Sequence, residues 1–163
     1  MERTAPGIWI PALIGGAGFG VLSGLPLVSC GCCAYALGAG VLGAFLYSKE
    51  CRKVGFPFNA AGGAKIGLVA GLAHGVVQWI MSTVMNRLMG GEQAVEDAIA
   101  QIESNPDIPP ETADLIVRGV EFMSGAGAVV VFLAIGIVFA LIGGLIGGAI
   151  FKVQPETPAQ PAA

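Results

Sequence analysis

The sequence is poor in charged side chains. Only 12% of its 163 residues are Asp, Glu, Lys or Arg, whereas 55% are hydrophobic, and the mean hydropathy is +0.78. Soluble domains carry about 25% charged residues. A soluble fold with this composition could not cover its own surface, so the composition predicts a membrane protein, and the length predicts one domain.

The residue patterns of the common enzyme and nucleic-acid-binding classes are also missing. The sequence has no nucleophile–base pair, no paired catalytic carboxylates, no phosphate loop and no Lys/Arg cluster longer than three. Its acidic residues are not spaced like a calcium loop. We therefore expect a non-enzymatic protein with no metal and no cofactor. Its expected partners are the lipid bilayer and either further copies of the chain or other membrane subunits, and nucleic acid is excluded.

Long stretches without charge predict where the chain crosses the bilayer. No charged side chain occurs between Thr4 and Ser48, which is too long for one span of about 20 residues and fits two. Pro26 and the small residues that follow it mark the reversal. The predicted fold is an all-α bundle of four transmembrane helices, with spans at 8–27, 32–47, 64–89 and 125–151. Residues 48–63 form a connector.

The composition of segment 90–124 predicts that it lies in water. Eight of the eleven acidic residues lie between Glu92 and Glu121. Apolar residues recur at helical spacing on both sides of a Pro-rich break, and Pro109 and Pro110 suit the start of a second helix. We predict an acidic helical hairpin between the third and fourth spans. The membrane domain is 1–153, and the Pro/Ala-rich tail 154–163 is expected to be disordered.

The distribution of lysine and arginine predicts the orientation. Four spans place both termini and the connector on one side of the membrane, and the hairpin on the other. The terminal side holds six basic residues and the hairpin side holds two, Arg87 and Arg118. The six are Arg3, Lys49, Arg52, Lys53, Lys65 and Lys152. The positive-inside rule then predicts cytoplasmic termini and an extracytoplasmic hairpin in the cell membrane.

Glycine recurs every four residues in the predicted spans. This spacing places each set on one helix face, where small residues let neighbouring backbones approach closely. Packing within one bundle is favoured over a conducting or self-assembling glycine zipper. The predicted helix-packing glycines are Gly16, Gly20, Gly24, Gly63, Gly67, Gly71, Gly75, Gly136, Gly144 and Gly148.

A polar series continues the glycine face of the third span. His74, Gln78, Ser82 and Asn86 are also four residues apart. Exposing polar side chains to lipid costs free energy, so this face is expected to point into the bundle. Interhelical hydrogen bonding is the favoured interpretation. A proton or ion path through His74, the single histidine, is the alternative.

Cysteines cluster in the first reversal. Cys30 and Cys33 form a C-x-x-C pair that could be redox-active or half a metal site. Cys51 is predicted at the opposite face of the membrane and cannot complete the site. Small turn cysteines without chemistry are the favoured interpretation. A lipoprotein processing box ending at Cys30 is the other alternative, and the long apolar stretch before it argues against cleavage.

The pattern as a whole resembles a group of uncharacterised prokaryotic four-span membrane proteins. The residues that carry the resemblance are Ser23-Gly24-Leu25-Pro26, the Cys-rich turn 30–33, Tyr47 and the pairs Gly143-Gly144 and Gly147-Gly148. The resemblance implies the architecture and no activity. The leading hypothesis is a structural or accessory subunit. The alternatives are a small channel or transporter subunit that uses the polar face of the third span and, more weakly, a membrane thiol-redox protein.

Overall fold

The computed structural model describes residues 5–24, 31–125 and 127–154. Within these ranges the chain is helical, and its backbone forms a single isolated β-bridge and no strand. The helices in chain order are α1 (Trp9–Ser23), α2 (Cys32–Val54), α3 (Ala60–Leu88), α4 (Gly91–Glu103), α5 (Pro110–Ser124) and α6 (Gly127–Ile150). The predicted all-α class is confirmed for the described residues.

Helices α1, α2, α3 and α6 pack side by side. α1 contacts α2 and α3, and α6 contacts the same two helices from the other side. α2 also contacts α3, so α1 and α6 occupy opposite corners. Contacts ascend along both α1 and α3, from Gly16 with Ala73 to Gly24 with Met81, so these two helices are parallel. Gly63 meets Gly148 whereas Gly75 meets Leu133, so α6 is antiparallel to α3.

Helix α2 is longer than the predicted span. The sequence places a connector at 48–63, but the helix continues through the charged residues to Val54 and ends at Gly55, which has a positive φ of 66°. The Lys53 ammonium pairs with the Glu50 carboxylate one turn earlier at 2.7 Å. Arg52 and Lys53 also lie in the last turn, where the helix dipole stabilises positive charge. The charged residues therefore form the last turn of α2, and the connector is residues 55–59 instead of the predicted 48–63.

The connector is tied to the end of α6. Phe58 donates its amide to the carbonyl of Val153 at 3.0 Å and accepts the Val153 amide at 2.9 Å. The Asn59 side chain then caps α3 by accepting the amide of Gly62 at 3.0 Å. Tyr47 of α2 is 5% exposed and packs edge-on against Phe58. Trp9 is exposed.

Helices α4 and α5 form the predicted hairpin. The chain turns at 104–109, where the Asn105 side chain accepts the amide of Asp107 at 3.0 Å. Pro110 is the first residue of α5 and Glu111 lies in its first turn, as the sequence predicts. Neither helix has a buried residue. α4 contacts α3 and α5 contacts α6, so the hairpin sits on the end of the helical bundle without a core of its own.

The size of the side chains separates the inside of the bundle from its outside. The buried hydrophobic residues include Ala12, Ala36, Ala39, Ala44, Ala70 and Ala140. Large apolar side chains point outward, among them Leu13, Ile14, Leu68, Leu72, Val76, Ile80, Val130, Val138 and Ile146. Among the described residues, α3 and α6 are the helices long and apolar enough to cross a membrane, while α1 is apolar but shorter. An apolar exterior around a small-residue interior suits lipid as the solvent.

Candidate functional site

The glycines of α3 lie against the backbone of α6. A β-carbon added to Gly71 would lie 2.5 Å from the Gly136 carbonyl oxygen and 2.7 Å from the Ile137 Cα. One added to Gly75 would lie 2.9 Å from the Leu133 Cα. Contacts this short leave no room for any side chain. Gly63 and Gly67 meet α6 in the same way, Gly63 at Gly144 and Gly148 and Gly67 at Ala140 and Leu141.

The glycines of α1 lie against α3. A β-carbon added to Gly20 would lie 2.9 Å from both the His74 carbonyl oxygen and the Val77 Cβ, and one on Gly24 would lie 2.5 Å from the Met81 Cβ. Gly16 meets Ala70 and Ala73. All ten glycines predicted to pack helices thus lie at close approaches between α1 and α3 or between α3 and α6, and their energetic role stays a prediction.

The polar series on α3 runs from the centre of the bundle to its surface. His74 is 0% exposed and Gln78 is 6% exposed, whereas Ser82 is half-buried and Asn86 is exposed. Within 5–24, 31–125 and 127–154, neither nitrogen of His74 has a hydrogen-bond partner. Ser23 of α1 is also buried, and its hydroxyl donates to the Gly20 carbonyl at 3.1 Å. His74 is therefore a buried imidazole that has the Gln78 carboxamide beside it, one turn along α3, and no well-formed hydrogen bond to the described residues.

Three cavities open where α3 meets the hairpin, and Asn86 lines all of them. The first has a volume of about 370 Å³ and is also lined by Arg87, Glu92 and Glu96. A second, of about 510 Å³, lies between α3 and the α5 residues Ile116 and Met123, and a third, of about 420 Å³, lies beside Arg87 and Glu92. The outer end of the polar series therefore opens into a partly acidic space beneath the hairpin.

The predicted thiol pair is only partly within the described residues. Cys30 lies outside them, and Cys33 is half-buried in the first turn of α2. Cys51 is buried at the other end of the same helix, about 27 Å away at the 1.5 Å rise of an α-helix. Across the described ranges, no group of three or more His, Cys, Asp or Glu side chains could hold a metal ion.

A buried cluster that the sequence did not reveal lies at the connector end of the bundle. Tyr47, Cys51, Phe58 and Ile66 pack together there, with Val153 against them. Burial raises the pKa of the Cys51 thiol, which lies beyond the predicted second span. The one signal in the sequence is the spacing of four between Tyr47 and Cys51, which puts both on one face of α2.

Comparison with known proteins gives one finding. A protein-family model described as the MJ1491 transmembrane domain matches residues 9–156. No curated protein and no solved structure matches the chain. The match covers α1 to α6 and agrees with the apolar exterior of the helices, so the protein is a helical membrane protein. The chain belongs to the MJ1491 transmembrane domain family.

Proposed function

We propose that the protein is a four-span, non-enzymatic membrane protein with a structural or accessory role. α1, α2, α3 and α6 each cross the bilayer, both termini lie in the cytoplasm, and the acidic hairpin is extracytoplasmic in the cell membrane. The six basic residues on the terminal side against two on the hairpin side support this orientation. The proposal includes the prediction, made from the sequence, that the protein uses no cofactor.

The observation that carries the proposal is the contact between the backbones of α3 and α6. Glycines at four-residue spacing along α3 leave no space for a side chain against α6. Dispersion forces and weak Cα–H contacts hold helices together at such distances, and lipid supplies no competing hydrophobic drive. A bundle built this way is a rigid frame rather than a pore. The hairpin, which has no buried residue of its own, is then the part available to other membrane subunits.

The channel or transporter alternative needs a continuous path along α3. His74 and Gln78 supply polar groups for half of such a path, but the glycine half of the same face is closed against α6. This alternative therefore requires a second, open packing of the bundle. The thiol-redox alternative requires Cys30 and Cys33, and it has no support from the described residues.

Ion flux and oligomeric state test the proposal together. The purified protein, reconstituted in liposomes, should conduct protons, sodium and potassium no faster than protein-free liposomes do. Light scattering with size-exclusion chromatography should show a monomer or a small assembly. A steady flux that Gln78→Leu abolishes, in a ring with α3 facing inward, would contradict the structural role and establish the channel alternative.

A further inference from the structure

The two halves of the polar and glycine face of α3 differ in access. On the hairpin side of His74 the face passes through buried Gln78 and half-buried Ser82 to exposed Asn86, which lines three cavities. On the other side the same face is glycine, and Gly71 lies against the α6 backbone. The polar series is thus open at one end and closed at the other, and His74 is its inner end.

The imidazole of His74 has unused hydrogen-bonding capacity. A neutral imidazole offers one donor and one acceptor, and neither ring nitrogen has a partner among the described residues although the side chain is 0% exposed. Buried polar groups without protein partners are usually satisfied by ordered water. One imidazole and one carboxamide supply too few ligands for a transition metal, which takes three or four from the protein. Water and the proton are the ligands that fit.

The charged groups around this site favour a proton that arrives from the hairpin. α1 and α6 carry no titratable side chain, and α2 presents Cys33 and Tyr35 near this level. The nearest charges along the polar series are Arg87, Glu92 and Glu96, which line the outer cavity. The two carboxylates outnumber the guanidinium, and a negatively charged cavity raises the local concentration of cations, including hydronium.

We propose that His74 is a proton-binding site that exchanges its proton with water on the hairpin side of the bundle and not with water on the other side. Hydronium gives its proton to the lone pair of the free ring nitrogen, the imidazole becomes imidazolium, and a water molecule is released. The step needs no oxidant or reductant. Because the glycine half gives the proton no exit, the site binds protons without conducting them, and it is compatible with the absence of flux expected above.

Thiol accessibility tests the path. In a background with Cys30, Cys32, Cys33 and Cys51 replaced by alanine, Ser82→Cys reports on the polar face, and Val84→Cys, at the same depth on the exposed apolar face, is the matched control. A charged, membrane-impermeant maleimide added on the hairpin side of sealed vesicles should label Ser82→Cys about tenfold faster than Val84→Cys. The thiol of Val84→Cys lies in apolar surroundings, which raise its pKa, and each unit of increase lowers the fraction of reactive thiolate tenfold. Added on the other side, it should label neither variant. Equal rates for the two variants, or labelling of Ser82→Cys from the other side, would overturn the one-sided path.

Nitrogen NMR tests the site itself. His74 is the single histidine of the chain, so ¹⁵N-histidine labelling of the tag-free protein in nanodiscs reports on it alone. Histidine is the side chain whose charge changes nearest neutral pH, and the imidazole signal should change from the neutral to the charged form as the pH is lowered while the protein stays folded. Gln78→Leu removes one hydrogen-bonding step between the imidazole and water. Proton exchange should then slow about tenfold, which corresponds to a barrier higher by about 1.4 kcal/mol. Ile80→Leu, on the exposed face of the same helix, should leave the rate near that of the parent.

The possible results separate this inference from the structural proposal. An imidazole that stays neutral over the whole range in which the protein is folded would overturn the proton site. Equal exchange rates in the parent and in a folded Gln78→Leu variant would do the same. Neither result bears on ion flux, which tests the structural role by itself.

Discussion

At the scale of the residue, the absence of a side chain decides how closely the long helices approach. Gly71 is the plainest example, because a β-carbon added to it would meet both a carbonyl oxygen and a Cα of α6. A side chain there must displace backbone, which cannot give way as the end of a flexible side chain can. The neighbouring residue Leu72 has the opposite role, since it is 43% exposed on the apolar exterior.

Gly71→Leu should therefore destabilise the protein more than Leu72→Ala does. Overpacking typically costs about 1–3 kcal/mol, and the leucine at position 71 has no space at all. Leu72→Ala exchanges one apolar surface for a smaller one in lipid and should cost within about 0.5 kcal/mol, as exposed substitutions usually do. Thermal unfolding in detergent compares the two variants. Equal melting temperatures would show that this glycine face is not a helix interface.

Cys51 gives a second prediction at this scale. Its side chain is fully buried beside Tyr47 and Phe58, and burial raises the pKa of the thiol. Since the thiolate is the nucleophile, Cys51 should resist maleimide in the folded protein and react on unfolding. Cys51→Ala provides the control that assigns the protected thiol. Rapid labelling in the folded protein would place Cys51 in water.

The same raised pKa fixes the sign of a pH dependence. The folded state favours the neutral thiol, so Cys51 contributes its stability below the ordinary thiol pKa of about 8.5 and loses it as pH rises from there through the folded-state value. Denaturant unfolding between about pH 7.5 and pH 10 should show a decrease in the free energy of unfolding that is smaller in Cys51→Ala. An equal decrease in both proteins would remove Cys51 as its source.

At the scale of the element, the hairpin and the bundle use glycine differently. Gly119 lies in the middle of α5 with nothing within 4 Å of the β-carbon that an alanine would add. A glycine in a helix interior costs roughly 0.5–1 kcal/mol relative to alanine. Gly119 therefore weakens α5 with no compensating close contact, whereas Gly71 in α3 is required by its neighbour.

Gly119→Ala should stabilise α5 by about 0.5–1 kcal/mol. Amide hydrogen exchange in the hairpin should slow by a factor of about 2–5, which is the same free energy expressed as an opening equilibrium. Gly71→Ala is the opposite control, because its added methyl group meets backbone and should lower the melting temperature. Faster exchange in Gly119→Ala would mean that α5 packs against something at this position.

The elements also show what sequence reasoning could and could not predict. Uncharged runs and four-residue glycine spacing predicted α3 and α6 closely, and Pro110 marked the start of α5. The predicted end of α2 is too early, because the charged residues after Tyr47 were expected to end the helix. Glu50 and Lys53 instead pair along the helix surface. The burial of Tyr47 was missed because it depends on Phe58 and Val153, which are far apart in sequence and meet only through tertiary structure.

At the scale of the whole molecule, the arrangement of small and large side chains supports a membrane bundle with two unlike ends. One end is closed by the Phe58–Val153 bridge and the cluster around Cys51. The other end carries the acidic hairpin and the cavities along α3. The sequence indicated this asymmetry through its charges. It could not indicate that His74 has no well-formed hydrogen bond to the described residues, because that depends on how α3 packs against the other helices.

The sidedness of the chain is the most direct test of the proposed four-span topology. Reporter domains that are active only on one side of the membrane can be fused in the connector after Gly55, in the hairpin near Asn105 and after Lys152. We predict that the first and third report the cytoplasm and that the second reports the outside. If the reporters at Gly55 and Lys152 lie on opposite sides, or if the one at Asn105 shares a side with both, the four-span account is contradicted.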